Sequence, residues 1–428
     1  MSQPRVAYAG MTHLGICSAI ASASKGFTTV GFAPDAALVA RLESGNLPVT
    51  EPELDDLLRD NRTRMSFTAD AEKLRECNLI YVAPDIPTDD RGGSDLAPLD
   101  ELLNLVLSKA RADATVVVLS QVPPGYTRER MRPGVNLYYQ VETLVFGRAV
   151  ERATKPERFI VGCANPSSPM PAAMQTYLSA FGCPILPMRF ESAELAKIAI
   201  NCCLVSSVSV ANTLAELCEG IGADWSEIVP ALKLDRRIGQ YSYLAPGLGI
   251  AGGNLERDLA TVCGLADQVG SDAGVVRAWI SNSKHRRDWA VRTLRTVLGR
   301  KPGAAVSILG LAYKENTHST KNSPSLALIA QIQDQAIVVH DPVVSVTAVS
   351  HPKVHATPTA LDCAKGADVL LIMTPWPEYK KLDPKALAAT MRGKDLIDPY
   401  AVLNHAACRA AGLNVHTLGA PVEKANKS

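Results

Sequence analysis

The residues with the clearest chemical spacing are Lys197 and Asn201, four positions apart in the uninterrupted stretch Ser192–Glu219, SAELAKIAINCCLVSSVSVANTLAELCE. On a helix this spacing stacks a cation and an amide on one face. A developing alkoxide needs such a cation and such donors. The same pair also reads as a snorkelling lysine beside a helix-interior asparagine. A second pattern is Gly10-Met11-Thr12-His13-Leu14-Gly15, with a strand signal before it and a helix signal after it. A dinucleotide-binding G-x-G-x-x-G turn would stand at that place. Its middle glycine, which normally lets the backbone approach a pyrophosphate, is Thr12, so a Cβ and a hydroxyl are expected to push the cofactor out or reorient it. The second strand, VGFAPD, ends in Ala33 and Pro34 and brings its carboxylate, Asp35, two residues late for an adenosine ribose. A third stretch, Pro246–Asp258, PGLGIAGGNLERD, is rich in glycine and lets main chain pass close to a ligand or to another backbone.

These residues need elements to hold them. Ser192–Glu219 contains no Gly or Pro and at about 1.5 Å per residue predicts a helix of about 40 Å. Its positions Leu195, Ile198, Ala199, Cys202, Val205, Ser206, Val208 and Ala211 wrap more than one face, which predicts a spine buried between layers and joining two domains. Residues 5–190 alternate strand signals (Val6–Ala9, Thr28–Phe32, Leu79–Ala83, Thr115–Ser120, Asn136–Gln140, Phe159–Gly162) with helical ones, implying a mostly parallel sheet. Residues 220–294 read as helical apart from the glycine-rich loop. From Ala304 the alternation resumes and repeats the first half: VSILGLAYKE is placed like VAYAGMTHLG, AIVVHDPV like TTVGFAPD, and DVLLIMTPWPEY like NLIYVAPDIPTD. The expected fold is therefore α/β, two Rossmann-like doubly wound domains joined by a long central helix. The expected boundaries are 1–190, 191–295 and 296–428, with ligands at the carboxyl ends of the strands.

Composition narrows the function classes. Lys plus Arg number 44 and Asp plus Glu 43 in 428 residues, and no block of like charge argues for nucleic acid. Ten scattered cysteines without paired C-x-x-C motifs argue for reduced thiols, a cytoplasmic location and no metal. The chain opens almost directly on a strand without a basic-then-apolar leader, and no apolar run is read as membrane-spanning, so no membrane partner is expected.

Nine ordered stretches carry a resemblance that runs through essentially the whole chain: VPPGYTRE (122–129), VETLVFGRAVE (141–151), SAELAKIAIN (192–201), LDRRIG (234–239), GLGIAGGNLERD (247–258), LGLAYKENT (309–317), SPSLALI (323–329), DVLLIMTPWPEY (368–379) and IDPY (397–400). Together they resemble the UDP-glucose/GDP-mannose dehydrogenase family, nearest to the UDP-glucose 6-dehydrogenases. The resemblance implies an NAD-dependent oxidoreductase acting on a UDP-sugar or related nucleotide sugar, with an NAD-binding domain first and a UDP-sugar-binding domain last. Such enzymes oxidise the sugar C6 alcohol to a carboxylate through an aldehyde held on a cysteine. By position, Lys197 and Asn201 would stabilise the oxyanion on C6, Asp258 would handle protons or a water, and Glu142 would stand near the catalytic water. Arg237, Lys314, Tyr243, Gly249, Leu144 and Tyr400 would face the sugar nucleotide, Arg237 by reaching a neighbouring subunit's site in a homodimer formed through the central helix. Gly10, Met11, Thr12, His13, Leu14, Gly15, Asp35, Gln121 and Lys321 would face NAD.

The departures from the family pattern cluster around cofactor and thiol. The cysteine position, four residues before Asp258, is Asn254, and an amide has no thiolate-like form near neutral pH. Cys202 and Cys203 are expected to point away from the face of Asn201, and Cys263 lies more than a turn beyond Asp258. The family threonines of two loops are Ile86 and Gln121, an arginine near the end is Tyr400, and another is Lys321, which loses bidentate geometry. Three functions follow as expectations. The first is a dehydrogenase whose thiol step to the uronic acid is lost, or a redox-neutral epimerase. The others are a standard UDP-glucose 6-dehydrogenase using another aldehyde route, and a non-catalytic nucleotide-sugar-binding homologue.

Overall fold

The computed structural model describes residues 3–89, 93–251, 253–299, 301 and 303–426, and the chain forms two compact units, Met1–Ile200 and Asn201–Ser428. The first unit is built on β1 (Val6–Ala9), β2 (Thr29–Phe32), β3 (Met65–Thr68), β4 (Leu79–Val82), β5 (Thr115–Val118), β6 (Asn136–Gln140), β7 (Phe159–Cys163) and β8 (Ile185–Arg189). Their order is β3-β2-β1-β4-β5-β6-β7-β8, parallel except where β6 meets β7. The strands VAYA, TVGF, LIYV and TVVV are buried at every position, as strands covered on both faces should be. Two strands escape the sequence reading. In β3, MSFT, only Met65 and Phe67 are buried, and β8, ILPMR, is an edge strand without a fully buried residue, where Pro187 is tolerated.

The second unit contains β9 (Ala305–Leu309), β10 (Ala336–His340), β11 (Val354–Ala356), β12 (Val369–Ile372), β13 (Asp395–Ile397) and β14 (Asn414–His416). Their order, β11-β10-β9-β12-β13-β14, reproduces that of the first six strands. The repeat read from VSILGLAYKE and VAYAGMTHLG is thus a repeat of topology, with a doubly wound parallel sheet in each half.

Four helices matter for the chemistry: α1 (His13–Ser24), α2 (Ala36–Glu43), α3 (Phe190–Ile221) and α4 (Asn254–Val269). The 32-residue α3 extends the expected spine by two residues at each end. Its burial is more one-sided than expected. Ile198, Val205 and Ala211 are buried, but Leu195 is 45% exposed and Ala199 is exposed too. A second expectation also needs correction, since the most apolar window of α3 has a mean hydropathy of 1.6 and is long enough to cross a membrane by length and composition. The core helix of a soluble protein meets the same criterion, and the polar groups of α3 are engaged within the fold. Buried Glu194 accepts the N–H groups of Gly125 (2.6 Å) and Thr127 (2.9 Å). Asn212 accepts the N–H of Gly247 (2.8 Å), and Glu219 accepts the indole N–H of Trp289 (2.7 Å).

Candidate active site

The glycine turn after β1 is shaped by close packing. Gly10 has φ +99°, and a Cβ there would lie 2.7 Å from the Pro84 nitrogen, while one on Gly15 would lie 1.8 Å from the Gly10 carbonyl oxygen. Both glycines are obligatory for the turn. Between them, Met11 and Leu14 are buried, and Thr12 stands at the N-cap of α1. The Thr12 hydroxyl accepts the N–H of Asp85 at 2.8 Å, and the Asp85 carboxylate in turn accepts the N–H of His13 at 3.1 Å. The imidazole of His13 pairs with Glu51 at 2.8 Å and lies against the Phe146 ring, with centroids 4.3 Å apart. Glu51 also accepts from Gly147 and Ala149.

Asp35 serves as the N-cap of α2, with one oxygen accepting from Ala37 (2.8 Å) and Leu38 (3.2 Å). The frame of this domain, with its strand–turn–helix and its two essential glycines, fits a dinucleotide. Two features depart from it: Asp35 comes late after β2 and caps α2, and at the diphosphate position the chain's own Asp85 meets the start of α1. Gln121 is half-buried and follows Ser120, whose hydroxyl donates to the Pro84 carbonyl at 2.5 Å.

On α3, Lys197 forms an ion pair with Glu142 at 2.8 Å and donates to the Glu142 carbonyl at 3.2 Å. The two side chains are only 14% and 18% exposed, so this pair is screened less than a surface bridge. The second carboxylate oxygen of Glu142 accepts the N–H of Leu144 at 2.9 Å. An ammonium carries three N–H donors, and the two contacts to Glu142 account for two.

In the second unit, the amide of Asn201 donates to Asp258 at 2.5 Å, and both residues are buried. Arg257 approaches the other oxygen of Asp258 at 3.4 Å. Asn254 is exposed and is the first residue of α4, one turn before Asp258; Gly253 precedes it with φ +92°. Cys202 differs from expectation, because it packs into the apolar cluster of Val205, Leu259 and Cys263, on the side of α4. Burial, with a smaller contribution from the Asp258 charge, pushes its thiol up to about 11. Cys203 is exposed.

The sugar-nucleotide candidates belong to the same unit. Gly249 has φ +78°, and a Cβ there would lie 2.4 Å from the Ser283 carbonyl oxygen; Ser283 also accepts the N–H of Ile250 at 2.7 Å. Position 252 of this loop lies outside the described residues. Tyr400 is partly buried near Leu248 and Glu315, and burial drives its phenol well above the usual range. The Lys314 ammonium sits 5.7 Å from the Tyr313 ring centroid. Lys321 passes along Gly253. Next to it, Asn322 hydrogen-bonds Glu256, whose carboxyl is raised by burial. Tyr243 is 55% exposed, and Arg237 is exposed and paired with Asp235 at 2.6 Å.

Several organising residues carry little sequence signal. Asp341 accepts from Leu311 and Ala312 and thereby closes the turn after β9. Asp85 and Glu51 organise the start of α1. Their only signal is an acidic residue beside a turn, and the pairing depends on partners dozens of positions away.

Domain models of the UDP-glucose/GDP-mannose dehydrogenase family match three consecutive segments: the NAD binding domain over residues 4–178, the central domain over 191–284 and the UDP binding domain over 307–405. The chain is 27% identical to UDP-glucose 6-dehydrogenase TuaD of Bacillus subtilis, over 97% of this chain and 93% of that protein. It is 28% identical to a UDP-glucose 6-dehydrogenase of Pseudomonas aeruginosa over 92% of each. Among solved structures, a UDP-glucose dehydrogenase from Pyrobaculum islandicum superposes with a TM-score of 0.83 at 27% identity, covering 94% of this chain and 95% of that one. A UDP-D-ManNAc dehydrogenase from Pyrococcus horikoshii shares the fold, with a TM-score of 0.83 at 24% identity over 97% and 99%. The chain belongs to the UDP-glucose/GDP-mannose dehydrogenase family of NAD-dependent oxidoreductases, which act on a CH–OH group of a nucleotide sugar.

Proposed function

We propose that this protein oxidises the C6 alcohol of a UDP-sugar by two electrons and releases the aldehyde, the thiol-dependent step to the uronic acid being lost. The observation that carries this reading is Asn254, an amide at the first position of α4, one turn before the buried Asp258. Its nitrogen lone pair is delocalised, so it cannot add to an aldehyde as a thiolate does. Cys202 does not take its place, because it is packed into the apolar cluster of Val205, Leu259 and Cys263, where burial disfavours its thiolate.

When bound, NAD accepts the hydride that leaves C6. The chain's own residues do the rest. Lys197 is held by two contacts to Glu142, whose carboxylate is itself fixed by the N–H of Leu144, and its third donor supports the negative charge that grows on the C6 oxygen. Asp258 is the acceptor for the hydroxyl proton, and Asn201, anchored on it, orients the oxygen. Within the second unit, Asn201 and Asp258 already meet at 2.5 Å, which keeps that pair's geometry ready before substrate arrives.

Purified protein incubated with NAD and a panel of UDP-sugars tests the reading, with NADH followed by absorbance and the sugar product by mass spectrometry. An aldehyde formed with an equal amount of NADH supports it. A uronic acid formed with twice as much NADH returns the protein to the four-electron reaction. Sugar-nucleotide binding without NADH or an altered sugar makes it a binding homologue.

A further inference from the structure

The start of α1 is in contact with an anion supplied by the chain itself. His13 is the first residue of this helix, and its N–H points to the Asp85 carboxylate at 3.1 Å. Asp85 is held there from the other side, because its own N–H is donated to the Thr12 hydroxyl at 2.8 Å. That hydroxyl also donates to the Ala83 carbonyl at 3.5 Å. Thr12 is thus more than bulk in place of a glycine: it fastens the loop after β4 so that the carboxylate of this loop meets the helix end. The His13 ring cannot offset the negative charge, being paired with Glu51.

We propose that Asp85, clamped by Thr12, is a determinant of cofactor affinity: its carboxylate holds the helix end that a dinucleotide diphosphate needs and must swing away before the cofactor binds. The proposal rests on the assignment of this domain to NAD. A helix N-terminus attracts anions through its unsatisfied N–H groups and its dipole. A tethered carboxylate competes for that position at high effective concentration, and if it stays it repels the diphosphate directly. Asp85 is exposed, so turning it into solvent buries no charge.

The test is calorimetric titration of the full chain with NAD, ADP-ribose and adenosine, comparing the natural protein with Asp85→Asn, Asp85→Ala and Thr12→Gly. Removing the charge should tighten NAD and ADP-ribose by about tenfold or more, leaving adenosine, which carries no phosphate, unchanged. Thr12→Gly should tighten the same two ligands, since it frees the clamp. Asp85→Ala should also lower the melting temperature of the unliganded protein and show a larger rise on adding NAD, which distinguishes an altered site from a misfolded chain. Equal, measurable NAD affinities in the natural protein and both Asp85 variants would overturn the proposal and leave the cofactor assignment intact. A gain for adenosine equal to that for NAD would also overturn it. No NAD binding by any of the four proteins would overturn the cofactor assignment and the proposal together.

Discussion

Asn254 sets the chemistry that this chain can complete. A cysteine at the first position of a helix gains thiolate character from the unsatisfied N–H groups around it. Asn254→Cys is therefore expected to add acid formation to aldehyde formation, raising NADH toward twice the amount of sugar consumed. Continued release of aldehyde alone by a folded variant would mean that more than the thiol has been lost. Asp258→Asn should lower kcat by about a hundredfold or more with little change in KM, the range for losing a positioned proton acceptor; steady-state kinetics on the aldehyde-forming step would check this. At this scale the sequence was partly legible. Helical spacing places Lys197 and Asn201 on one face, but the same spacing also reads as a snorkelling lysine beside a helix-interior asparagine. Glu142 has no such local signal, because the contact with Lys197 spans 55 positions, and Asp85 lies 72 positions from the N–H it accepts. Side-chain pairs of that separation are set by sheet order, which no local pattern encodes.

At the scale of elements, α3 is tied to the loop after β5 by Glu194, which accepts two main-chain N–H groups in a buried place. Glu194→Ala leaves both donors without this acceptor and should cost about 2–3 kcal/mol in urea unfolding. In the second sheet, the Asp368 carboxylate accepts from Ala305 at the start of β9 and pairs with Lys301 and Arg392. The Arg392 guanidinium, despite the opposing effect of burial, holds this carboxyl well below the usual carboxylate range. A carboxyl depressed in the folded state stabilises the fold above its unfolded pKa of about 3.9 and loses that contribution as pH falls through the folded value. Asp368→Asn should thus cost about 1–2 kcal/mol at pH 7, a modest figure because both cations are more than half exposed. The difference should shrink as pH falls below about 4, which melting curves across pH would show. Buried strands and long helices were visible as apolar runs. Strand β3 was not, since MSFT alternates over only four residues, and β8 was hidden by its edge position and Pro187. The exposed Leu195 and Ala199 show that an apolar residue on a long helix does not reveal which side the chain itself covers.

For the whole molecule, the internal repeat was the most legible feature. Two stretches of similar strand–turn pattern became six strands of matching order in each sheet, because buried parallel strands need continuous apolar sequence and right-handed crossovers leave few alternatives. What the repeat could not convey is how differently the two glycine turns are used. The first opens α1 and is met by Asp85, whereas the second is closed by Asp341 accepting from Leu311 and Ala312. The most direct test of the central claim is the ratio of NADH formed to UDP-sugar consumed at saturating NAD, with the product trapped by a carbonyl reagent and identified by mass spectrometry. One NADH per sugar, with a trapped aldehyde and no uronic acid, is the predicted result. Two NADH per sugar, with the uronic acid as the product, would contradict it.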